Sequence, residues 1–354
     1  FPEIFEYLMK LSIERPITLF IDEFQEFFKV NKSVYSDMQR IWDMYHTKAH
    51  INLIVCGSIF SMMTKIFKDK KEPLYNRQTR FMSIKPFTPA VLKEIMTEYN
   101  PNYTSEDLLA LYSFTGGVAK YVQLLVDAGA TTKTKMLNHI IKADSVFLGE
   151  GKAILIEEFG KDYGVYFSIL SAIARGKTLR SEIEQIVGRE IGGYLTKLEK
   201  EYEVITKNQP IFEKSSTKNV RYTIEDNFFA FWFRFIYKYN YMLEIENYDA
   251  VKTIINRDYE TFSGKMLERY FKRVLMESKA YTRIGSWWDR KGENEIDIVA
   301  ENELNDEAVF IEVKRKEDNF DAIALNEKVD VFTRATGKFK DYTVSQKGLS
   351  MTDM

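Results

Sequence analysis

The sequence predicts an α/β protein assembled from several modules, and three patterns carry that expectation. A continuous apolar run from Pro16 to Ile21 closes in Asp22 and Glu23. A middle stretch reads as three short helices followed by a hairpin. Near the C-terminus, Glu295-Ile296-Asp297-Ile298-Val299 and Val309-Phe310-Ile311-Glu312-Val313-Lys314 alternate as half-buried strands do, with a polar connector between them.

Ile17 to Ile21 has the form of a buried parallel strand whose C-terminal tip offers two acids to a ligand. Ile51 to Cys56 is a second such strand and ends at Gly57-Ser58. A helical stretch through Met38, Ile41 and Met44 lies between them and completes a βαβ unit, which any doubly wound sheet could also contain. Further on, Thr115-Gly116-Gly117-Val118-Ala119-Lys120-Tyr121 places a glycine pair where a helix would be capped.

In the middle stretch, Val165, Tyr166, Ile169, Leu170 and Ile173 share one helical stripe that stops at Arg175-Gly176. Leu179 to Val187 forms a second helix, and after Gly188 a third carries Ile191, Tyr194, Leu195 and Leu198. Two strand-like runs follow, Val204-Ile205-Thr206 and Val220 to Ile224. Three helices and a hairpin describe a winged helix, in which the third helix would offer Arg189, Lys197 and Lys200 to DNA phosphates and the wing Lys214 and Lys218. The acids Glu190, Glu199 and Glu201 on the same helix fit protein docking equally well. The aromatics of Phe228 to Tyr241 read as core.

The stretch Asn302 to Glu307, polar and turn-forming apart from Leu304, makes the C-terminal pair a β-hairpin. Glu312 and Lys314, two apart, share a face that can lie opposite Asp297. Two hard carboxylates suit a Mg²⁺ ion that polarises a phosphodiester and its attacking water, and a lysine ammonium can orient that water or offset developing charge. The plain alternative is a solvated, salt-bridged strand face. Upstream, Ser263 opens an amphipathic helix with Leu267, Phe271 and Leu275 in one stripe and Glu268 at its edge, a further carboxylate for the site. Between helix and hairpin, Trp287-Trp288 is followed by alternating charge through Asp289, Arg290 and Lys291. Replacing Asp297 or Glu312 by Ala is expected to abolish metal binding and leave the metal-free fold intact or slightly more stable.

The 354 residues give a length prior of two to three domains, and 45% hydrophobic with 29% charged residues are globular values. A net charge of −2 gives no global push toward nucleic acid, so such binding must rest on local patches. The single cysteine, Cys56, excludes an internal disulfide, suits a reducing cytoplasm and reads as core. His46, His50 and His139 lack cysteine partners at zinc-ligand spacing. No membrane span or signal peptide is visible.

A helix glutamate, a strand aspartate and then Glu-x-Lys resemble the ordered signature of the PD-(D/E)xK nuclease fold. The last third of the chain is similar to the restriction-endonuclease-like domain at the C-terminus of a family of archaeal-type P-loop ATPases of the AAA/STAND class. The run ending in Asp22-Glu23 resembles that family's Walker B strand. The resemblance implies that Asp22 holds the nucleotide's Mg²⁺, that Glu23 activates the hydrolytic water, and that Ser58 is a polar sensor near the γ-phosphate. It further implies that Arg77, in the turn Leu74 to Arg80, senses phosphate and that Phe81 to Phe87 is the following strand, although Asn76 stands where the family has glycine. Residues 115–121 resemble the Gly-Gly-x-Pro-x-Tyr motif of the helical lid, with Ala119 in place of the proline, and Asp226 to Phe235 resembles the family's aromatic linker helix. The implied organisation is an ATPase core fragment at 1–100, a helical lid at 101–155, a winged helix and linker at 156–245 and a nuclease-like domain at 246–354.

No G-x-x-x-x-G-K-[ST] string occurs in these residues. Because that loop precedes the Walker B strand and the chain begins with Phe1, the expectation is a sequence that has lost its first βα unit and binds ATP poorly by itself. Two functions follow from the resemblance. Either ATP binding and hydrolysis switch a DNA-cutting domain, with Asp297 and Glu312 on the metal and Glu268 and Lys314 assisting, or the chain is a nucleotide-gated regulatory module that binds DNA or protein without cutting. The expected cofactors are ATP and Mg²⁺, the expected partners are double-stranded DNA and a second copy of the chain, and no membrane is involved.

Overall fold

A computed structural model describes residues 1–58, 60–214 and 216–354. The chain divides into two compact units, one of Phe1–Ile84 with Ile154–Lys161, the other of Lys85–Ala153 with Asp162–Met354.

In the first unit, α1 (Pro2–Glu14) starts on a proline at its first turn, where no backbone N–H is needed. β1 (Ile17–Ile21), α2 (Val34–Tyr45) and β2 (Ile51–Val55) form the expected βαβ unit, the strands pairing in parallel from Ile17–Ile51 to Ile21–Val55. α2 buries Val34, Tyr35, Met38 and Ile41, spaced as one helical face, against Phe5 and Met9 of α1 and Phe24. Met44, expected in that stripe, is exposed. Both strands were expected to be buried on both faces, but Phe20 is 60% and Ile54 39% exposed. Among the described residues a helical layer covers one face of this sheet only. α3 (Phe60–Lys68) follows β2. Phe81 to Phe87, expected as a strand, pairs with no strand among the described residues, and Met82 and Ile84 are exposed.

The second unit begins with α4 (Pro89–Tyr99) and α5 (Ser105–Thr115). A reciprocal Thr104–Asp107 capping box starts α5, and Gly116 in the left-handed region ends it. Gly117 has a packing reason as well. A Cβ there would stand 2.4 Å from the Phe87 carbonyl oxygen, and the Phe87 N–H donates to Gly117 O at 2.7 Å. α6 (Ala119–Asp127) and α7 (Lys133–Ile140) complete this helical part, and α8 (Val146–Phe159) belongs to it as far as Ala153, its residues from Ile154 on counting with the first unit.

Next come α9 (Tyr163–Ala174), α10 (Arg180–Val187) and α11 (Gly192–Lys200), then an antiparallel hairpin of β3 (Ile205–Asn208) and β4 (Arg221–Ile224). The β3–β4 loop, read from the sequence as a wing, is anchored at its start. The Ile211 N–H donates to Ser286 O at 2.8 Å, and Ile211 and Phe212 pack into the C-terminal core beside Phe332 and Phe339. Gly285 allows this approach, because a Cβ there would lie 2.9 Å from Ile211 Cβ.

α12 (Asn227–Phe231), capped by Asp226, leads through a wider π turn, Trp232–Tyr237, to α13 (Tyr248–Ser278). α13 starts well before Ser263, at an Asn247 cap, so Glu268 sits in its body rather than near its beginning. The C-terminal sheet has the order β5-β6-β7-β8, from β5 (Arg283–Trp288), β6 (Glu295–Asn302), β7 (Glu307–Val313) and β8 (Thr343–Leu349). β5 to β7 run antiparallel and β8 returns parallel to β7. α14 (Ala322–Thr336) supplies that parallel crossover and buries Leu325, Val329 and Phe332 against Trp287, Ile296 and Phe310. No described helix is long and apolar enough to cross a membrane.

Candidate functional site

At the tip of β1, Glu23 adopts a left-handed backbone, φ 47°, a conformation uncommon in non-glycine residues. Asp22 Oδ1 accepts from the Glu23 N–H at 2.9 Å and the Cys56 thiol at 2.7 Å. Glu23 Oε2 accepts from the Gln25 amide and from the Ser58 hydroxyl at 2.9 Å. Parallel pairing of β1 with β2 therefore brings Asp22, Glu23, Cys56 and Ser58 to one strand end, as the two polar tips implied. The Cys56 thiol holds Asp22 below the usual carboxylate range, helped by the Glu23 N–H. Gln25 and then Ser58 do the same for Glu23. Both acids are exposed and ionised at neutral pH, the state in which hard oxygen donors bind Mg²⁺. Cys56, expected in the core, is half-buried and bonded to an acid instead. Arg77 is clamped by Asp43 through Nε at 2.9 Å and Nη2 at 2.8 Å, and its Nη1 donates to Pro73 O and Tyr75 O. A phosphate would have to displace Asp43 to reach it.

The second constellation lies where α13, β6, β7 and α14 meet. The β5–β6 register runs from Gly285–Val299 to Trp287–Ile296, so β6 carries one extra residue across from Ser286, and Asp297 sits in that bulge. The Ser286 hydroxyl donates to Asp297 O at 2.7 Å and pins the bulge. Across the other ladder, which ends at Ile298–Ile311, the Asp297 carboxylate accepts from the Val313 N–H at 2.8 Å. Glu312 is 7% exposed. Its Oε1 accepts from Lys314 Nζ at 2.7 Å and from Lys328 Nζ of α14 at 2.9 Å, while its buried Oε2 has no hydrogen-bond partner among the described residues. On α13, Lys265 Nζ lies 2.9 Å from Glu268 and 3.9 Å from Glu295. Glu295 is also paired with Arg221 of β4 at 2.8 Å.

Lys265, Glu295, Lys328 and Arg221 were not anticipated from sequence. Lys265 carries a faint signal three residues before Glu268, on the same helical side. Arg221, Glu295 and Lys328 come from separate elements, and no spacing announces them.

Burial pushes Asp297 above the usual carboxylate range, and the charge of Glu312 adds to it. Burial likewise pushes Glu268 up to about 7, against the pull of Lys265. Burial presses Lys314 down, but Glu312 outweighs it and holds the ammonium above its usual range. Among the described residues no cluster of three or more acids, histidines or cysteines stands arranged for a metal. The donor chemistry still fits a hard divalent cation. Two acids whose proximity raises Asp297, together with an unpartnered buried oxygen on Glu312, are relieved by a cation, and the lysines supply that charge as the side chains stand.

The Glu268 shift has a thermodynamic consequence. A carboxyl whose folded value is raised from 4.5 to about 7 binds a proton in the folded state that the unfolded chain releases in that window. Its contribution to stability is therefore full below pH 4.5 and is lost as pH rises through about 7. In chelator-treated protein, Glu268→Gln is expected to flatten the fall of the unfolding midpoint across that range. An unchanged slope in the variant would show that Glu268 is not the titrating group.

Residues 2–125 match the family described as "ATPase domain predominantly from Archaea". Residues 232–343 match the family described as "Archaea bacterial proteins of unknown function". An uncharacterized protein of Methanocaldococcus jannaschii is 33% identical over 314 residues, covering 84% of this chain and 67% of that protein. A second uncharacterized protein of the same organism is 34% identical over 56 residues, 16% of this chain and 54% of that protein. Among solved structures, a Walker-type ATPase of Pyrococcus abyssi matches with a TM-score of 0.48 and 20% identity, over 66% of this chain and 67% of that one. By the N-terminal match and the extent of the first relative, the chain belongs to a predominantly archaeal P-loop ATPase family in which the ATPase domain is joined to a C-terminal domain of unknown function.

Proposed function

We propose that the protein is an ATP-driven switch whose C-terminal domain is a PD-(D/E)xK nuclease acting on double-stranded DNA. At the β1 tip, Asp22 would hold Mg²⁺ with ATP. Glu23 takes the proton of a water whose oxygen bonds the γ-phosphorus as the bond to ADP breaks, and Ser58 holds the Glu23 carboxylate in place. Asp297 and Glu312 would hold the divalent ion of the second centre, which when bound polarises a scissile phosphodiester. Lys314 and Lys328, both paired with Glu312, would orient water and offset charge on the phosphate.

The observation that carries this reading is the convergence of Glu268 of α13, Asp297 of β6, and Glu312 and Lys314 at the end of β7, with a carboxylate oxygen among them that has no hydrogen-bond partner among the described residues. Calorimetry with Mn²⁺ and nicking of supercoiled DNA by the whole chain test it, and absence of Mn²⁺ binding would sink the nuclease part. The opposing observation is that ammonium groups engage the acids. It favours a second reading, a nucleotide-gated module that binds DNA or protein without cutting.

The three helices and hairpin of residues 163–224 support a winged helix. Lys197 and Lys200 are exposed on α11, with Leu195 and Leu198 buried beneath, and Arg189 is exposed in the turn just before it, as a phosphate-contacting helix requires. Changing the three cations to Ala is expected to weaken duplex binding and lower the slope of log affinity against log salt by about 2 to 3. A wild-type slope would turn α11 over to protein docking.

A further inference from the structure

Trp287-Trp288-Asp289-Arg290-Lys291 takes no part in either acid site, yet the fold gives it a definite place. Trp288 donates its indole N–H to Asn219 Oδ1 at 2.9 Å, and the Arg221 guanidinium lies 4.5 Å above its ring. Together with the docked Ile211, these contacts tie the β5–β6 turn to the β3–β4 loop. Between them lies an open cleft of about 1310 Å³, lined among others by Arg180, Lys214, Lys218, Asn219, Trp288 and Arg290.

Its charges are unevenly satisfied. Glu184 is taken up by Arg180 at 2.7 Å and by the Ile191 N–H. Asp289 accepts from the backbone of Gly292, Glu293 and Asn294 and from the Asn294 side chain. Lys214, Lys218 and Arg290 are exposed, with no ion pair among the described residues, and face the one remaining lining carboxylate, Glu213. The volume exceeds the roughly 300–1,000 Å³ of ordinary small-molecule pockets. Both tryptophans are buried, so they offer bases no stacking surface, and cations stand on both rims. These properties fit a polyanionic backbone bound by charge rather than by base identity. The floor also leads somewhere. Trp288 pairs with Glu295 across β5 and β6, and Asp297 is two residues further along β6.

We infer that this cleft takes a phosphodiester backbone and guides it to the Asp297–Glu312 centre. The inference rests on the nucleic-acid reading above. The test is fluorescence anisotropy of the whole chain with a short labelled duplex and with the matching single strand, across a salt series. A variant with Lys214, Lys218 and Arg290 all changed to Ala is compared with the α11 triple variant. The cleft variant is expected to keep the wild-type unfolding midpoint, bind more weakly and lose about 2 to 3 from the log–log salt slope. Stronger binding of the single strand, lost in the cleft variant, supports the cleft and makes an unpaired strand its occupant. Wild-type affinity and slope in the cleft variant, with loss in the α11 variant, overturns the cleft and leaves the DNA reading standing. If the wild-type chain binds neither probe, both fall.

Discussion

In protein that hydrolyses ATP, Glu23→Gln is expected to retain bound ATP while turnover falls on the order of 10²–10⁴-fold, the usual worth of a positioned general base. The geometry explains why affinity and turnover should separate. Asp22, which would meet the metal, makes its own bonds to Cys56 and to the Glu23 N–H, and neither depends on the Glu23 side chain. Glu23 is held by Gln25 and Ser58, which keep it charged and therefore able to accept a proton at neutral pH. Glutamine preserves the volume and can still bond Ser58, but it cannot take the proton. Filter retention of labelled ATP beside single-turnover hydrolysis reads both quantities. Normal turnover in the variant would remove Glu23 from the role of base.

Different parts of this molecule were legible to different degrees. The β1–α2–β2 unit could be read because a parallel pair leaves a run of apolar residues ending in polar tips, and the observed register brings Asp22–Glu23 and Ser58 together. Asp297, Glu312 and Lys314 could be read because strand alternation fixes which side chains share a face, although the bulge that seats Asp297 leaves no trace in the pattern. Burial was less legible. Phe20 and Ile54 look like core in the sequence, but burial depends on what covers a face, and only one face of that sheet has a covering layer among the described residues. The strand expected at Phe81 to Phe87 failed for a related reason, since a strand exists only with a neighbour to pair. Ile211 and Phe212 were read as loop because their apolar character spans too few residues to show a period, yet they enter the C-terminal core. Lys328 was hidden because it sits beside the buried stripe of Leu325, Val329 and Phe332 on a helix whose pattern speaks only of packing.

Glu312→Ala is expected to abolish Mn²⁺ binding and, contrary to the sequence expectation of an intact or slightly more stable metal-free fold, to destabilise it by about 1–3 kcal/mol. The reason is the pair of lysines. Glu312 Oε1 accepts from both Lys314 and Lys328, and its removal leaves two partly buried ammonium groups, at 36% and 26% side-chain exposure, without their shared counter-charge. The figure stays modest because both side chains can turn toward water. Lys328→Met separates the two effects. It removes one competing cation from Glu312 without removing a metal donor, so Mn²⁺ should bind this variant at least as tightly as the wild type, while any nicking activity falls through loss of charge on the phosphate. Isothermal titration with Mn²⁺ and thermal unfolding in chelator resolve these outcomes. Mn²⁺ binding to Glu312→Ala with wild-type affinity would show that the ion, if bound, sits elsewhere, and Glu312 would then be a structural anchor for its two lysines.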